Sequence, residues 1–142
     1  MKLIAIIFVC YSSILLQEDA WNIFARVKFE PKFSKPHNEY FMFPQFEKDI
    51  QALEGKEISL RGHYIPFDLV TRNAVVISKH PYAACFFCGG AGPESVVEVV
   101  FKVKKAKFKM DQVVTVKGKL KLNDSDVDRM TFILQEATVI EN

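Results

Sequence analysis

Two stretches of the chain alternate apolar and polar residues with a period of two. Ile58, Leu60, Gly62 and Tyr64 alternate with Glu57, Ser59, Arg61 and His63; Val114, Val116, Gly118, Leu120 and Leu122 alternate with Thr115, Lys117, Lys119 and Lys121. Successive side chains of a strand point to opposite faces, so each stretch predicts a half-buried strand with a glycine in its inward row. Glycine weakens a flat strand, but it permits the tight bend of a small barrel, where inward side chains would collide. Between these strands lie Ala74 to Ser78 and Ser95 to Val103, the latter with Val97, Val99, Phe101 and Val103 on one face. Met130, Phe132 and Leu134 open a fifth strand that runs to Ile140. Its alternation shifts to Ala137 and Val139, which predicts a bulge near Gln135 and Glu136. Asn123, Asp124, Ser125 and Asp126 supply the turn before it. Five strands with curved first and fourth members are the pattern of an OB-like barrel, in a mainly all-β fold.

Upstream of the barrel, Val27, Phe29, Pro31 and Phe33 alternate with Lys28, Glu30 and Lys32. Proline is tolerated at a sheet edge and not in a central strand, so one extended N-terminal edge segment is expected. Phe46, Ile50 and Leu53 recur at helical spacing, with Pro44 just before the run and Gly55 after it, which predicts one short helix. At the start of the chain, Lys2 precedes an apolar run from Leu3 to Leu16 broken only by Cys10, Tyr11, Ser12 and Ser13. That run falls short of the roughly 20 residues needed to cross a bilayer. It reads as a secretory signal over residues 1–20, leaving one OB-like domain over residues 21–142 with no transmembrane span. The expected location is extracytoplasmic, either periplasmic or secreted. Lipid anchoring at Cys10 is disfavoured, because Val9 is bulky where such signals prefer a small residue.

A chain of 142 residues that is 49% hydrophobic and 25% charged has the size of one domain and enough apolar material for a core. With 19 basic against 17 acidic side chains it is not a strongly electrostatic nucleic-acid binder. Lys102, Lys104, Lys105, Lys107 and Lys109 beside Phe101 and Phe108, and the row Lys117, Lys119 and Lys121, read as solvated strand faces that also discourage edge pairing. No nucleic-acid partner is expected. The sequence holds no Gly-x-Ser-x-Gly, His-Glu-x-x-His, P-loop or dinucleotide-binding fingerprint, so no catalytic residue is assigned and the chain is not read as an enzyme. Asp124, Asp126 and Asp128 lack the glycine and terminal glutamate of a calcium loop and read as turn and cap residues.

The segment able to carry chemistry is the loop from Lys79 to Glu94. It holds Cys85 and Cys88 at x-x spacing, Gly89, Gly90 and Gly92, and His80 five residues before the first cysteine. Tyr82, Phe86 and Phe87 make it too apolar to stand free in water, so it is expected to pack across the barrel. Three readings of the cysteines stay open. They form a structural pair, as a disulfide or as buried thiols. They bind a transition metal, zinc or copper(I), with His80 or His63 completing the shell. Or they form a redox dithiol, which Gly89, Gly90, Gly92 and Pro93 disfavour, because a reactive pair needs its first cysteine at a helix N-terminus. His63 stands on the outward row of its strand, where a lone histidine is usually solvated.

The order GKEISLRGHYIPFD (Gly55 to Asp68), AVVISKHPYAACFFCGGAGPESVVEVVFK (Ala74 to Lys102), VTVKGKLKLND (Val114 to Asp124) and FILQEATVI (Phe132 to Ile140) resembles uncharacterised exported bacterial OB-fold proteins of the Bacteroidetes type. More distantly it is similar to exported OB proteins of domain-of-unknown-function families. The resemblance covers most of the chain from Trp21 onward, and its most specific part is the CFFCGGAGPE segment. It implies fold and compartment and brings no activity. The combined expectation is an extracytoplasmic OB-fold binding module that handles a transition metal or assists an envelope transport system through its Cys-x-x-Cys loop. The alternative is a structural or partner-binding envelope protein with a disulfide-stapled loop.

Overall fold

The computed structural model describes residues 19–103 and 107–141. The expected signal run up to Gln17 and Glu18, Cys10 included, lies outside the described residues, as do Lys104 and Lys105. Helix α1 spans Ala20–Phe24, strand β1 Lys28–Ser34, β2 Glu39–Gln45, helix α2 Lys48–Gln51, β3 Glu57–Ile65, β4 Ala74–Ser78, β5 Val96–Phe101, β6 Val113–Leu122 and β7 Phe132–Glu141. The last five strands close into a barrel in the order β3-β4-β5-β7-β6. Only the β5–β7 pair is parallel. This is the mainly β, five-stranded OB-like barrel that the alternating rows predict.

The inward rows behave as their period requires. Ile58 and Leu60 of β3, Val114, Val116 and Leu120 of β6, and Phe132 and Leu134 of β7 are all buried in one cluster. Each such side chain contributes about 1.5–3 kcal/mol relative to exposure. Strand β4 is buried at all five positions. Val75 and Ile77 face the barrel interior, while Val76 joins a second cluster on the outer face. A strand covered on both sides needs no polar row, which is why this segment reads as a continuous apolar run.

Both inward glycines sit where a side chain does not fit. A Cβ at Gly62 would lie 2.5 Å from the Ser78 carbonyl oxygen and 2.8 Å from Ile77 Cγ2. At Gly118 it would lie 2.9 Å from the Gln135 carbonyl oxygen. The β7 bulge is present: the β6–β7 register shifts between Lys117 and Lys119, and Glu136 takes a φ of 51°. The outward row of β6 is solvated and paired, Lys117 with Glu57 at 2.7 Å and Lys119 with Glu136 at 3.0 Å. The hydrogen bond from Lys119, with its charge, holds the Glu136 carboxyl below the ordinary range.

The N-terminal part differs from its expectation in two ways. The extended segment from Val27 to Phe33 is one arm of a hairpin: β1 pairs with β2 from Lys28↔Gln45 to Ser34↔Glu39. The turn between them uses Asn38 at a φ of 52°, with its N–H donating to the Lys35 carbonyl at 3.3 Å. The paired register puts Phe29, Pro31, Phe33, Tyr40, Met42 and Pro44 on one face. Pro44 therefore ends a strand instead of introducing the helix, and α2 is confined to one turn. A second short helix, α1, precedes the hairpin. The Asp19 carboxylate accepts from the Trp21 N–H at 3.2 Å and caps it. Ala20, Trp21 and Phe24 are buried against the barrel core, and Trp21 Nε1 donates to the Arg61 carbonyl at 2.8 Å. Among the described residues no helix is long and apolar enough to cross a membrane.

Candidate functional site: a cysteine loop beside an apolar cleft

The β4–β5 loop folds as three single 3₁₀ turns, Tyr82–Ala84, Phe86–Cys88 and Pro93–Ser95. It packs on the outer face of the barrel. Cys85 is fully buried there in a cluster with Ile65, Val76 and Val96, against which Leu69, Phe86, Phe87 and Met130 are packed. Cys88 is exposed. A 3₁₀ helix has three residues per turn, so side chains at i and i+3 eclipse. The Cys88 N–H donates to the Cys85 carbonyl at 3.2 Å, and Gly89 closes the turn at a φ of 75°. Both are free thiols. Desolvation, and then the neighbouring Cys85, push the Cys88 thiol above its ordinary value.

The structure thus sets Cys85 and Cys88 one 3₁₀ turn apart. It does not add a third donor: among the described residues no group of three or more His, Cys, Asp or Glu side chains is placed to hold a metal ion. His80, half-buried, is held by its own backbone N–H, which donates to Ser78 Oγ at 3.1 Å. His63 Nδ1 lies 3.4 Å from the Asp111 carbonyl oxygen. A tetrahedral zinc shell needs four donors. Two sulfurs, one of them enclosed by apolar side chains, do not fit that set.

Beside the loop is a feature the sequence does not announce. A cleft of about 410 Å³ is bounded by Tyr40 to Pro44 of β2, by Phe67, by Phe86 and Pro93 of the cysteine loop, and by the β6–β7 loop from Asn123 to Thr131. Phe67 stacks on Phe87, with ring centroids 4.2 Å apart and planes at 15°. The cysteine loop therefore braces one wall. The opposite loop is held by Asn123, whose Nδ2 donates to the Asp126 carbonyl at 2.7 Å and whose Oδ1 accepts from the Asp126 N–H at 3.0 Å. Asp126 in turn accepts from the Asp128 N–H at 3.0 Å, the turn role expected for these residues.

One buried ion pair anchors Arg129, which lines the cleft. Glu98 points to the outer face of β5 and is 1% exposed. Arg129 Nε donates to both carboxylate oxygens, at 3.1 and 3.2 Å, and Nη2 bonds Oε1 as well. Such a fork matches the carboxylate geometry and holds the guanidinium in one orientation. The signal for Glu98 was a single acid within Val-Val-Glu-Val-Val, on an outward row whose other members are also apolar. An outward row without polar neighbours is a covered row.

No family model matches the chain, and no curated protein matches it. Among solved structures it is similar to a DUF3299 family protein from Pseudomonas aeruginosa, at 16% identity and a TM-score of 0.47, over 70% of this chain and 68% of that one. This is a distant likeness.

Proposed function

We propose that this chain is an extracytoplasmic OB-type binding module whose binding surface is the cleft between the hairpin, Phe67, the cysteine loop and the β6–β7 loop. The observation that carries this reading is the cleft itself. It has the volume of a ligand site, its walls are mostly apolar, and Arg129 in its lining is held by Glu98. In OB barrels the loops after the first and fourth strands flank the binding face. Here those loops contribute Phe67 and Asn123 to Thr131. The occupant is an apolar or aromatic group, presented by a partner in the envelope or its transport machinery. Export is supported by the Leu3–Leu16 run and by the resemblance of the CFFCGGAGPE loop to exported bacterial proteins. Asp19 caps α1, so signal cleavage falls before Asp19 in this reading. Zinc binding is the weaker reading, because the thiol pair lacks the further donors of a tetrahedral shell.

The methionines supply a test. Met42 and Met130 line opposite sides of the cleft, while Met110 is exposed elsewhere. Titration of methyl-labelled protein with benzyl alcohol and phenol, as minimal aromatic occupants, is expected to shift the Met42 and Met130 methyl signals together and leave Met110 in place. Shifts confined to Met110, or none at all, would contradict a binding cleft.

A further inference from the structure

We propose that Cys85 and Cys88 are a reversible dithiol–disulfide couple, oxidised by disulfide exchange that enters at Cys88, and that its state sets the wall of the cleft. The exchange half of this inference stands on the loop geometry alone; the coupling half rests on the cleft reading. The two cysteines stand at i and i+3 of one 3₁₀ turn, positions whose side chains eclipse, with the Cys88 N–H donating to the Cys85 carbonyl at 3.2 Å. Their access is unequal. Cys88 is exposed, whereas Cys85 has 0% exposure.

That asymmetry orders the chemistry. The Cys88 thiol loses its proton, and its sulfur attacks one sulfur of a low-molecular-weight disulfide. The disulfide's S–S bond breaks, and one half leaves as a thiolate that takes up the proton. Cys88 is then held in a mixed disulfide. Cys85, deprotonated in turn, attacks Cys88 Sγ and expels the second half as a thiol. Two protein thiols are oxidised and one external disulfide is reduced to two thiols. Attack needs the thiolate, and the raised Cys88 value makes this slow at neutral pH. The turn between the cysteines is a single 3₁₀ turn, without the helix N-terminus that activates a catalytic cysteine. The pair therefore suits a responder to its surroundings better than a turnover catalyst.

The coupling follows from what lies between the sulfurs. Phe86 and Phe87 are the two residues inside the turn; Phe86 lines the cleft and Phe87 carries the stacked Phe67. Drawing Cys88 toward the buried Cys85 tightens the turn and re-seats both rings. Met130, packed on the same cluster and lining the same cleft, reports the movement.

The full folded chain carrying Cys10→Ser, so that Cys85 and Cys88 are its two thiols, is equilibrated with reduced and oxidised glutathione, quenched with acid and read by mass spectrometry. This parent is expected to lose two hydrogens as oxidised glutathione rises and to regain them on reduction. Cys85→Ala, which keeps the apolar contact, should stop at a single glutathione adduct. Cys88→Ser should take up none while folded. Parent thiols that persist at every glutathione ratio, or an adduct on Cys88→Ser as abundant as that on Cys85→Ala, would overturn the exchange order. The Met130 methyl signal should move on oxidation of the parent; an unmoved signal on a confirmed disulfide would overturn the coupling and leave the exchange intact. A cleft that fails to bind the aromatic probes in either state counts against the binding reading alone.

Discussion

Replacing Arg129 with methionine is expected to destabilise the protein by about 3–5 kcal/mol, the usual cost of breaking a buried ion pair from one side. The loss is not mainly that of the attraction. Glu98 would keep its carboxylate at 1% exposure with no cation beside it, and desolvating an uncompensated charge is the larger penalty. Among the described residues, the Met130 N–H, at 3.4 Å, would be the hydrogen-bond partner left to it. The double variant Glu98→Leu with Arg129→Met separates these contributions. With both polar groups gone and the volume kept apolar, much of the stability should return, because buried pairs are often replaceable by hydrophobic ones. Urea unfolding of the two variants is the check. An Arg129→Met loss below about 1 kcal/mol, as for an exposed pair, would show that Glu98 is reached by water.

The second large effect is at Phe24. Its ring is fully buried and stacked on Phe132, with centroids 3.9 Å apart and planes at 11°, while Trp21 meets it edge-on at 6.1 Å. Phe24→Ala removes that ring from the core and leaves a cavity, for which about 3–5 kcal/mol is the typical cost. Helix α1 has only five residues, too few to be stable alone, so the loss of Phe24 should also release Trp21. Tryptophan fluorescence gives that second readout. There is one tryptophan in the chain, and its emission should shift to longer wavelength as it becomes solvated in the folded variant. A variant with unchanged stability and emission would mean that α1 merely rests on the barrel.

Strands β3 and β6 were legible because one face of each is wet. In β3 and β6 every second residue is polar, and Gly62 and Gly118 interrupt the inward rows where the opposing backbone comes closest. Strand β5 was readable only on its inner face. Glu98 was not singled out, and its burial comes with its partner Arg129, on a loop that arrives from residues 123–131. Strand β2 was hidden by aromatic crowding and by Pro44, which marks a helix start and an edge strand equally well. Helix α1 was missed because five residues carry no periodicity and its cap, Asp19, was assigned to the signal segment. For the site, Cys85 and Cys88 were visible from spacing, and the structure sets them one 3₁₀ turn apart; among the described residues no group of three His, Cys, Asp or Glu side chains gathers His80 with them. The cleft had no local signal at all. Its walls come from Tyr40 to Pro44, Phe67, Phe86, Pro93 and the β6–β7 loop, segments that only the closed barrel makes neighbours.

The most direct test of a partner-binding cleft is photo-crosslinking in the native envelope. A benzoyl-phenylalanine placed at Tyr40, which is 69% exposed on the cleft wall, is compared with the same group at Lys117, on the outward row of β6 and absent from the cleft lining. The expected result is a discrete adduct from position 40 that is missing from position 117 and lost when Phe67→Ser removes one aromatic wall. Equal labelling from both positions, or none from position 40, would contradict the assignment of this cleft as the binding surface.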